Sequence, residues 1–298
     1  MAQEPDAVKE NFTLEAERAA IAGVWTETTL YIDREKVEET AGIRLTFFGR
    51  WAVLQYKSVL RPPSVPPASR HPAATARAKA LGGYPFLLRY ELNLATTPRQ
   101  MRLVHVGPNG DEQGRLQVDY RLSDGRLILG YEGNASNSLG SVHPKAAMHK
   151  GKRWVHVLEA AKPPRGDDAG GGGTGDRARF FGRWRETSIA INDQWPPSDQ
   201  RGARVTYGPG WLVFEQQKLR HPQLAAYHVD DQAEPKCIDW EVFTPSGQTM
   251  TTPGIYTFAG DALLILQPIA VGSGARRPRT FQTEPADGVV KRIYERVE

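Results

Sequence analysis

The residues GVWTET at 23–28 return as GRWRET at 182–187, and this repetition restricts the fold more than any other feature of the chain. A second block, Arg44 to Gln55, lies without gaps on Arg204 to Glu215 at an offset of 160. Tyr90 then pairs with Tyr227 and Pro98 with Pro235 at an offset of 137, and Tyr120 pairs with Tyr256 and Leu127 with Leu263 at 136. A last match sets Lys152-Arg153 against Lys291-Arg292. Order is kept throughout, so the pattern is the duplication of a whole domain rather than a short solenoid period. A chain of 298 residues has room for two such domains, each with a core of its own.

The fall in offset from 160 to 137 places an insertion of 23 residues in the first copy. It coincides with residues 59–83, VLRPPSVPPASRHPAATARAKALGG, whose prolines cannot pair into a sheet and whose charges are basic. An exposed basic loop is expected there. Residues 162–176, KPPRGDDAGGGGTGD, carry a glycine run that behaves as flexible coil and reads as the linker between domains. The organisation is therefore a first domain over 13–161, a linker over 162–176 and a second domain over 177–298.

Segments such as Arg204 to Tyr207, Trp211 to Glu215, Ile238 to Phe243 and Leu263 to Gln267 are short, rich in β-branched and aromatic residues, and bounded by turn signals. They read as strands of an antiparallel meander that closes on itself to protect its edges. One helix is expected, over Thr13 to Ala22, with Thr13 as cap, Glu15 and Glu17 at the positive end of the dipole and Gly23 as the stop.

Gly-x-Trp at the start of a first strand is the mark of the lipocalin superfamily. The second copy carries more than that: Gly182 to Trp184, Val205 to Tyr207, Tyr227 to Pro235, Gly254 to Tyr256, Asp261 to Leu263, Arg277-Pro278 and Tyr294 to Arg296. Over 178–298 it resembles the lipocalin-like repeat domain abundant in planctomycete bacteria, a family without a settled activity. The first copy matches more loosely, with Val118 to Tyr120 in place of Gly-Ile-Tyr and no Arg-Pro pair. The resemblance implies an all-β protein of two tandem up-and-down barrels, often exported, with an interior that can take an apolar ligand. It also implies that Trp25 and Trp184 plug the closed ends beneath a late arginine, for which Arg292 and Arg296 are the candidates, with Lys291 beside them.

Charge and composition narrow the function. The 38 basic residues stand against 34 acidic ones without a dense tract, so nucleic-acid binding is not expected. No apolar run approaches the roughly 20 residues of a membrane span, and the chain reads as soluble. Ala2 to Pro5 resembles the start of a mature exported protein, which suggests a periplasmic or secreted location. Cys237 is the only cysteine, so no intrachain disulfide forms, and as a lone thiol at a strand start it reads as a small core residue. His143, His149 and His156 lack helical metal-ligand spacing, and no metal or other cofactor is expected. No nucleophile, base and orienter can be assembled, so the chain reads as non-enzymatic.

Candidate ligand-binding residues are Arg44 and Arg204, Tyr90 and Tyr227, Trp211, and Trp195 in the loop after the first strand of copy two. The two arginines occupy equivalent strand starts; pointing inward they would hold a carboxylate bidentately, and pointing outward they are solvated strand residues. Trp195 serves as a lid over the barrel mouth, a partner contact or an edge plug. Two functions follow. In the first, the barrels bind a small apolar or amphipathic molecule. In the second they are solid scaffolds that meet a protein partner through 59–83 and the mouth loops. Large residues at nearly every inward position favour the scaffold; small ones favour the ligand.

Overall fold

A computed structural model describes residues 5–38, 42–56, 85–107, 110–132, 151–161, 175–192, 194, 202–216, 222–243, 249–269, 275–282 and 288–297, with side chains described from residue 13 onward. The chain divides into two units. The first holds α1 (Pro5–Ile21), β1 (Gly23–Ile32), β2 (Glu35–Val37), β3 (Ile43–Phe48), β4 (Trp51–Tyr56), β5 (Phe86–Asn93), β6 (Arg99–Val106), β7 (Glu112–Ser123), β8 (Arg126–Glu132) and β9 (Arg153–Ala160). The second holds α2 (Arg177–Phe180), β10 (Gly182–Ile191), β11 (Arg204–Gly208), β12 (Trp211–Glu215), β13 (Gln223–Asp230), β14 (Cys237–Phe243), β15 (Thr249–Ala259), β16 (Ala262–Pro268) and β17 (Val289–Val297). Each unit is a closed antiparallel barrel of eight strands in sequential order, sealed by β1 against β9 and by β10 against β17. This is the expected all-β class, and the tandem barrels fit a lipocalin-like fold.

In the first barrel β2 adds a short hairpin to β1, turned by Asp33 (φ 49°) and Arg34 (φ 73°) between the paired Ile32 and Glu35. Consecutive left-handed residues are what a two-residue hairpin requires to match strand twist. Helix α1 begins at Pro5, earlier than the Thr13 cap expected from sequence. Proline at a first helical turn loses no hydrogen bond and already has helical φ, so it opens the helix and leaves Thr13 in the interior.

The first strands show why the repeated motif matters. A bulge between Glu27 and Thr29 in β1, and between Glu186 and Ser188 in β10, inserts one residue and shifts which side chains face inward. Trp25 and Glu27 face in before the bulge and Leu30 and Ile32 after it; Trp184, Glu186 and Ile189 repeat the pattern.

The two ends of each barrel differ. At one end the turns are tight: Gly49 (φ 57°) and Gly210 (φ 77°) take the left-handed conformation that closes β3 to β4 and β11 to β12. Here the helix packs beneath the barrel, with Ile21 and Phe180 fully buried. The indole of Trp25 donates to the Ile21 carbonyl at 2.7 Å, and that of Trp184 to the Phe180 carbonyl at 2.7 Å. Arg296 lies 4.7 Å over the Trp184 ring and donates to the Phe181 carbonyl at 2.7 Å, so of the basic residues considered it is the late arginine above the plug. The opposite end is the mouth, where the chain makes its long connections, including those from β4 to β5 and from β8 to β9. The 59–83 segment belongs to one of these and lies outside the described residues, as does most of the 162–176 linker. Asp176, at the end of that linker, is tied to the second barrel by Lys236 at 2.6 Å and by the Tyr256 hydroxyl at 3.2 Å. Among the described residues no helix is long and apolar enough to cross a membrane.

Candidate functional site

Inside each barrel, one acid from the first strand is paired with one base from the last. In the first barrel Glu27 meets His156, Oε1 to Nδ1, at 2.6 Å, and both side chains are buried. In the second, Arg292 Nη1 donates to Glu186 Oε1 at 2.8 Å. The registers make the pairs equivalent: His156 lies opposite Leu30 and Arg292 opposite Ile189, the same position of the two first strands. This overturns the match of Lys152-Arg153 to Lys291-Arg292. The offset of 136 that aligns Leu127 with Leu263 continues to the end, so Arg292 takes the place of His156.

Each glutamate also has a structural task. Glu27 Oε2 accepts from the Ile43 backbone N–H at 3.1 Å, and Glu186 Oε2 accepts from that of Ala203 at 3.2 Å. These amides stand at or just before the start of the second barrel strand, so the carboxylate fixes where β3 and β11 begin. A buried carboxylate needs a partner of opposite charge or several donors to be tolerated, and the base supplies the rest. Burial pushes the Glu186 carboxyl above the ordinary range, while Arg292 and the Ala203 N–H pull it back.

The surroundings of the two pairs differ in chemistry. In the first barrel the two ring nitrogens of His156 have different partners: Nδ1 faces Glu27 Oε1 at 2.6 Å and Nε2 faces the Tyr131 hydroxyl at 3.0 Å. Tyr131, His156 and Trp154 are stacked, with Tyr131 centred 5.5 Å from His156. Burial raises the Tyr131 and Tyr56 phenols well above their ordinary pKa, so both remain protonated donors. These groups border a cavity of about 30 Å³ whose other walls are aliphatic, among them Leu45, Leu54, Leu103 and Leu129. That is room for about two water molecules and well short of the ~150 Å³ that admits benzene.

The interior of the second barrel holds more polar groups, from Tyr207 beside Phe180 at the closed end to Gln267 nearer the mouth. Tyr207, Tyr294, Trp240 and Gln267 are all buried on inward positions. Arg292 sits 5.5 Å from the Phe214 ring as well as on Glu186. Burial raises the Tyr207 and Tyr294 hydroxyls far above the ordinary phenol range.

Of the residues singled out from sequence, the arginines face outward and the tyrosines are buried at the closed end. Arg44 and Arg204 are exposed, on strands whose inward residues are Leu45 and Phe47 in one case and Val205 and Tyr207 in the other. The inward arrangement is therefore not formed; the period of two sends both arginines out. Tyr90 and Tyr227 are buried, but their hydroxyls donate to the carbonyls of Gly49 at 2.7 Å and Gly208 at 3.0 Å. They latch the turns at the closed end, away from the mouth. Trp211 lies on the face of β12 opposite Leu212 and Phe214, with its ring 5.8 Å from Phe243, and lines no interior space. Trp195, His143 and His149 lie outside the described residues. Among the described residues no three His, Cys, Asp or Glu side chains gather as a metal site. Cys237 is half-buried against the Pro235 carbonyl with its thiol pKa raised by burial, the opposite of a reactive thiolate. Arg277 clasps the outer face of the second barrel, holding Asp239 at 2.8 Å and the Gly254 carbonyl at 2.7 Å, while Arg276 and Arg279 are exposed.

No family model, curated protein or solved structure gives a significant match to this chain. The functional reading therefore rests on the geometry.

Sequence reasoning missed Glu27, Glu186, His156 and Arg292 as partners. The signal was present: the two glutamates are the shared Glu of GVWTET and GRWRET, and an unbroken offset of 136 would have set His156 against Arg292.

Proposed function

We propose that the chain is a non-enzymatic binding scaffold: two filled barrels that act as rigid bodies and present the segments of their mouths to a partner. One observation carries this reading. Inward positions of the first barrel are occupied almost throughout by large side chains, with Ala52 the exception in its core, and the cavity beside Tyr56, Tyr131 and His156 is only about 30 Å³. An eight-stranded barrel is just wide enough to be filled in this way. Residues 59–83, basic and joined to the mouth end of β4, are the segment best suited by charge to meet an acidic partner surface. The planctomycete-type lipocalin-like repeat remains the family reading for 178–298, and with it an exported location.

Native mass spectrometry of the purified full chain tests the reading, with extraction of anything released on unfolding and tryptophan fluorescence against fatty acids, haem and retinoids. The expected result is a clean protein mass and no saturable response. A co-purifying apolar molecule that leaves on unfolding would overturn the filled-barrel reading. It would favour a second one, in which a small amphipathic ligand enters the first mouth between the aliphatic walls and the polar tips of Tyr56, Tyr131 and His156. The cavity at that position is the observation that supports the second reading.

A further inference from the structure

Position by position, the interiors of the two barrels differ where the first has its cavity. Leu54, Leu103 and Leu158 border that space, and the matched residues of the second barrel are Phe214, Trp240 and Tyr294. Three rings therefore stand where the first barrel has three leucines. β15 gives back some room with Thr252 and Gly254 in the places of Leu116 and Val118, but the Gln267 side chain takes it up, 2.8 Å from where a Gly254 Cβ would stand. The cavity of about 30 Å³ follows from the first copy's leucines rather than from the geometry that the two barrels share.

What such a space can hold is set by its wall. Eight of the eleven residues around it are aliphatic, so the polar border is confined to Tyr56, Tyr131 and His156. Both ring nitrogens of His156 are engaged, one by Glu27 at 2.6 Å and the other by the Tyr131 hydroxyl at 3.0 Å. The Glu27 carboxylate is in turn taken up by His156 and the Ile43 N–H, so it offers no counter-charge to an ion. A buried water is held by roughly two to four polar partners, which an aliphatic wall with one polar corner does not supply; apolar cavities stay dry and take up apolar atoms instead. Ile43 is the half-buried member of a lining that is otherwise buried, which places the entry beside the start of β3.

We infer that this cavity of the first barrel is a binding site for a small uncharged apolar molecule of about two heavy atoms, the size class of dissolved dioxygen. Room for about two water molecules is room for one diatomic molecule or one xenon atom, and for neither a ring nor an alkyl chain. The attraction is dispersion: side chains that border a gap regain, with such an occupant, the contacts that the gap denies them. The inference goes beyond the scaffold reading and does not depend on it, because a molecule of this size leaves the barrel otherwise filled. It differs from the amphipathic alternative in needing no polar contact.

The test titrates the full chain, labelled with ¹³C in its valine methyl groups, with xenon, and uses methanol as a polar control of two heavy atoms. The Val118 methyl peaks are assigned by their absence in Val118→Ile. Xenon is expected to shift them saturably, with a dissociation constant on the order of 10–100 mM, the ceiling for one or two heavy atoms. Methanol at the same concentrations is expected to leave them in place. Three variants carry the second barrel's residue at a lining position, so the fold already accepts each exchange. Leu54→Phe fills the space and is expected to weaken xenon binding at least tenfold. Leu129→Ile keeps the volume and should bind as the wild type does, and Leu45→Val widens the space and should bind no more weakly. Unmoved Val118 peaks overturn the inference, as does wild-type affinity in Leu54→Phe or lost affinity in both other variants. Methanol that shifts the peaks as strongly as xenon overturns it too, in favour of the amphipathic ligand. A clean native mass with unmoved peaks sinks this inference alone, and a co-purified lipid with an intact xenon response sinks only the filled-barrel reading.

Discussion

Phe180→Ala removes the ring that fills the closed end of the second barrel, and its effect can be worked from the contacts. The side chain is fully buried, and four rings surround it, Tyr207 at 5.2 Å, Tyr227 at 5.9 Å, Tyr256 at 5.0 Å and Phe258 at 5.2 Å. Burial of a phenylalanine removes on the order of 150–250 Å² from water, which at about 25 cal/mol per Å² is roughly 4–6 kcal/mol. Phe→Ala changes in cores cost about 3–5 kcal/mol after relaxation, so about 4 kcal/mol is expected, close to a thousandfold in the folding equilibrium. Against about 5–15 kcal/mol for a typical domain, the second barrel becomes marginal. The backbone carbonyl that receives the Trp184 indole is untouched by the change. Hydrogen exchange read by mass spectrometry is the suitable assay, since peptides from β10 to β17 report the second barrel and those from β1 to β9 serve as the internal reference. The vacated space is apolar and benzene-sized, so benzene should restore part of the protection by mass action. A loss below about 1 kcal/mol would refute the reasoning, because it would mean that the ring is not what closes this end.

Arg296→Gln should cost about 1–2 kcal/mol in the second barrel, through the cation-π contact with Trp184 and the carbonyl bond to Phe181; an unchanged urea midpoint contradicts this. Glu27→Leu or His156→Leu alone leaves a buried partner uncompensated and should cost about 3–5 kcal/mol, while the double replacement should cost less than the sum of the two single changes; a double-mutant cycle with no coupling rules out the pair as described. The pH dependence of Glu186 has a definite sign. Because its folded pKa is raised, its contribution to stability is greatest below the ordinary glutamate pKa of about 4.3 and declines as pH rises through the raised value. The stability of the wild type minus that of Glu186→Gln should therefore fall with rising pH, and a flat or rising difference disproves it. Arg34→Gly relieves a left-handed arginine and should stabilise the β1 to β2 hairpin by about 1 kcal/mol, less the entropy that glycine adds to the unfolded chain, as thermal melts can show.

Much of the architecture was legible because duplication writes the same constraints twice. Gly-x-Trp, the strand pairs and the turn glycines repeat at nearly fixed offsets, and each marks a backbone feature that the barrel needs: a plug, a ladder or a left-handed turn. The interior was less legible. The facing of Arg44 and Arg204 depends on a strand phase that one residue reverses, and the bulges at Glu27 and Glu186 reverse it within a single strand. Tyr90 and Tyr227 were visible as a pair, yet the reason for the pairing, a hydroxyl fastening a turn carbonyl, is a three-dimensional contact between residues 41 and 19 positions apart. The acid-base pairs join the first strand of each barrel to the last, and the closure of the barrel alone brings them together.

The division of each barrel into a tight end and a mouth also bears on how such a chain can change over generations. Helix, tryptophan and latched turns all sit at one end, where any alteration disturbs packing. Length can be gained at the other without touching that foundation, and the 23-residue difference between the copies falls there. A duplicated gene of this kind therefore starts with two platforms on which novelty is nearly free of folding consequences, and the two copies can drift toward separate tasks while remaining the same object underneath.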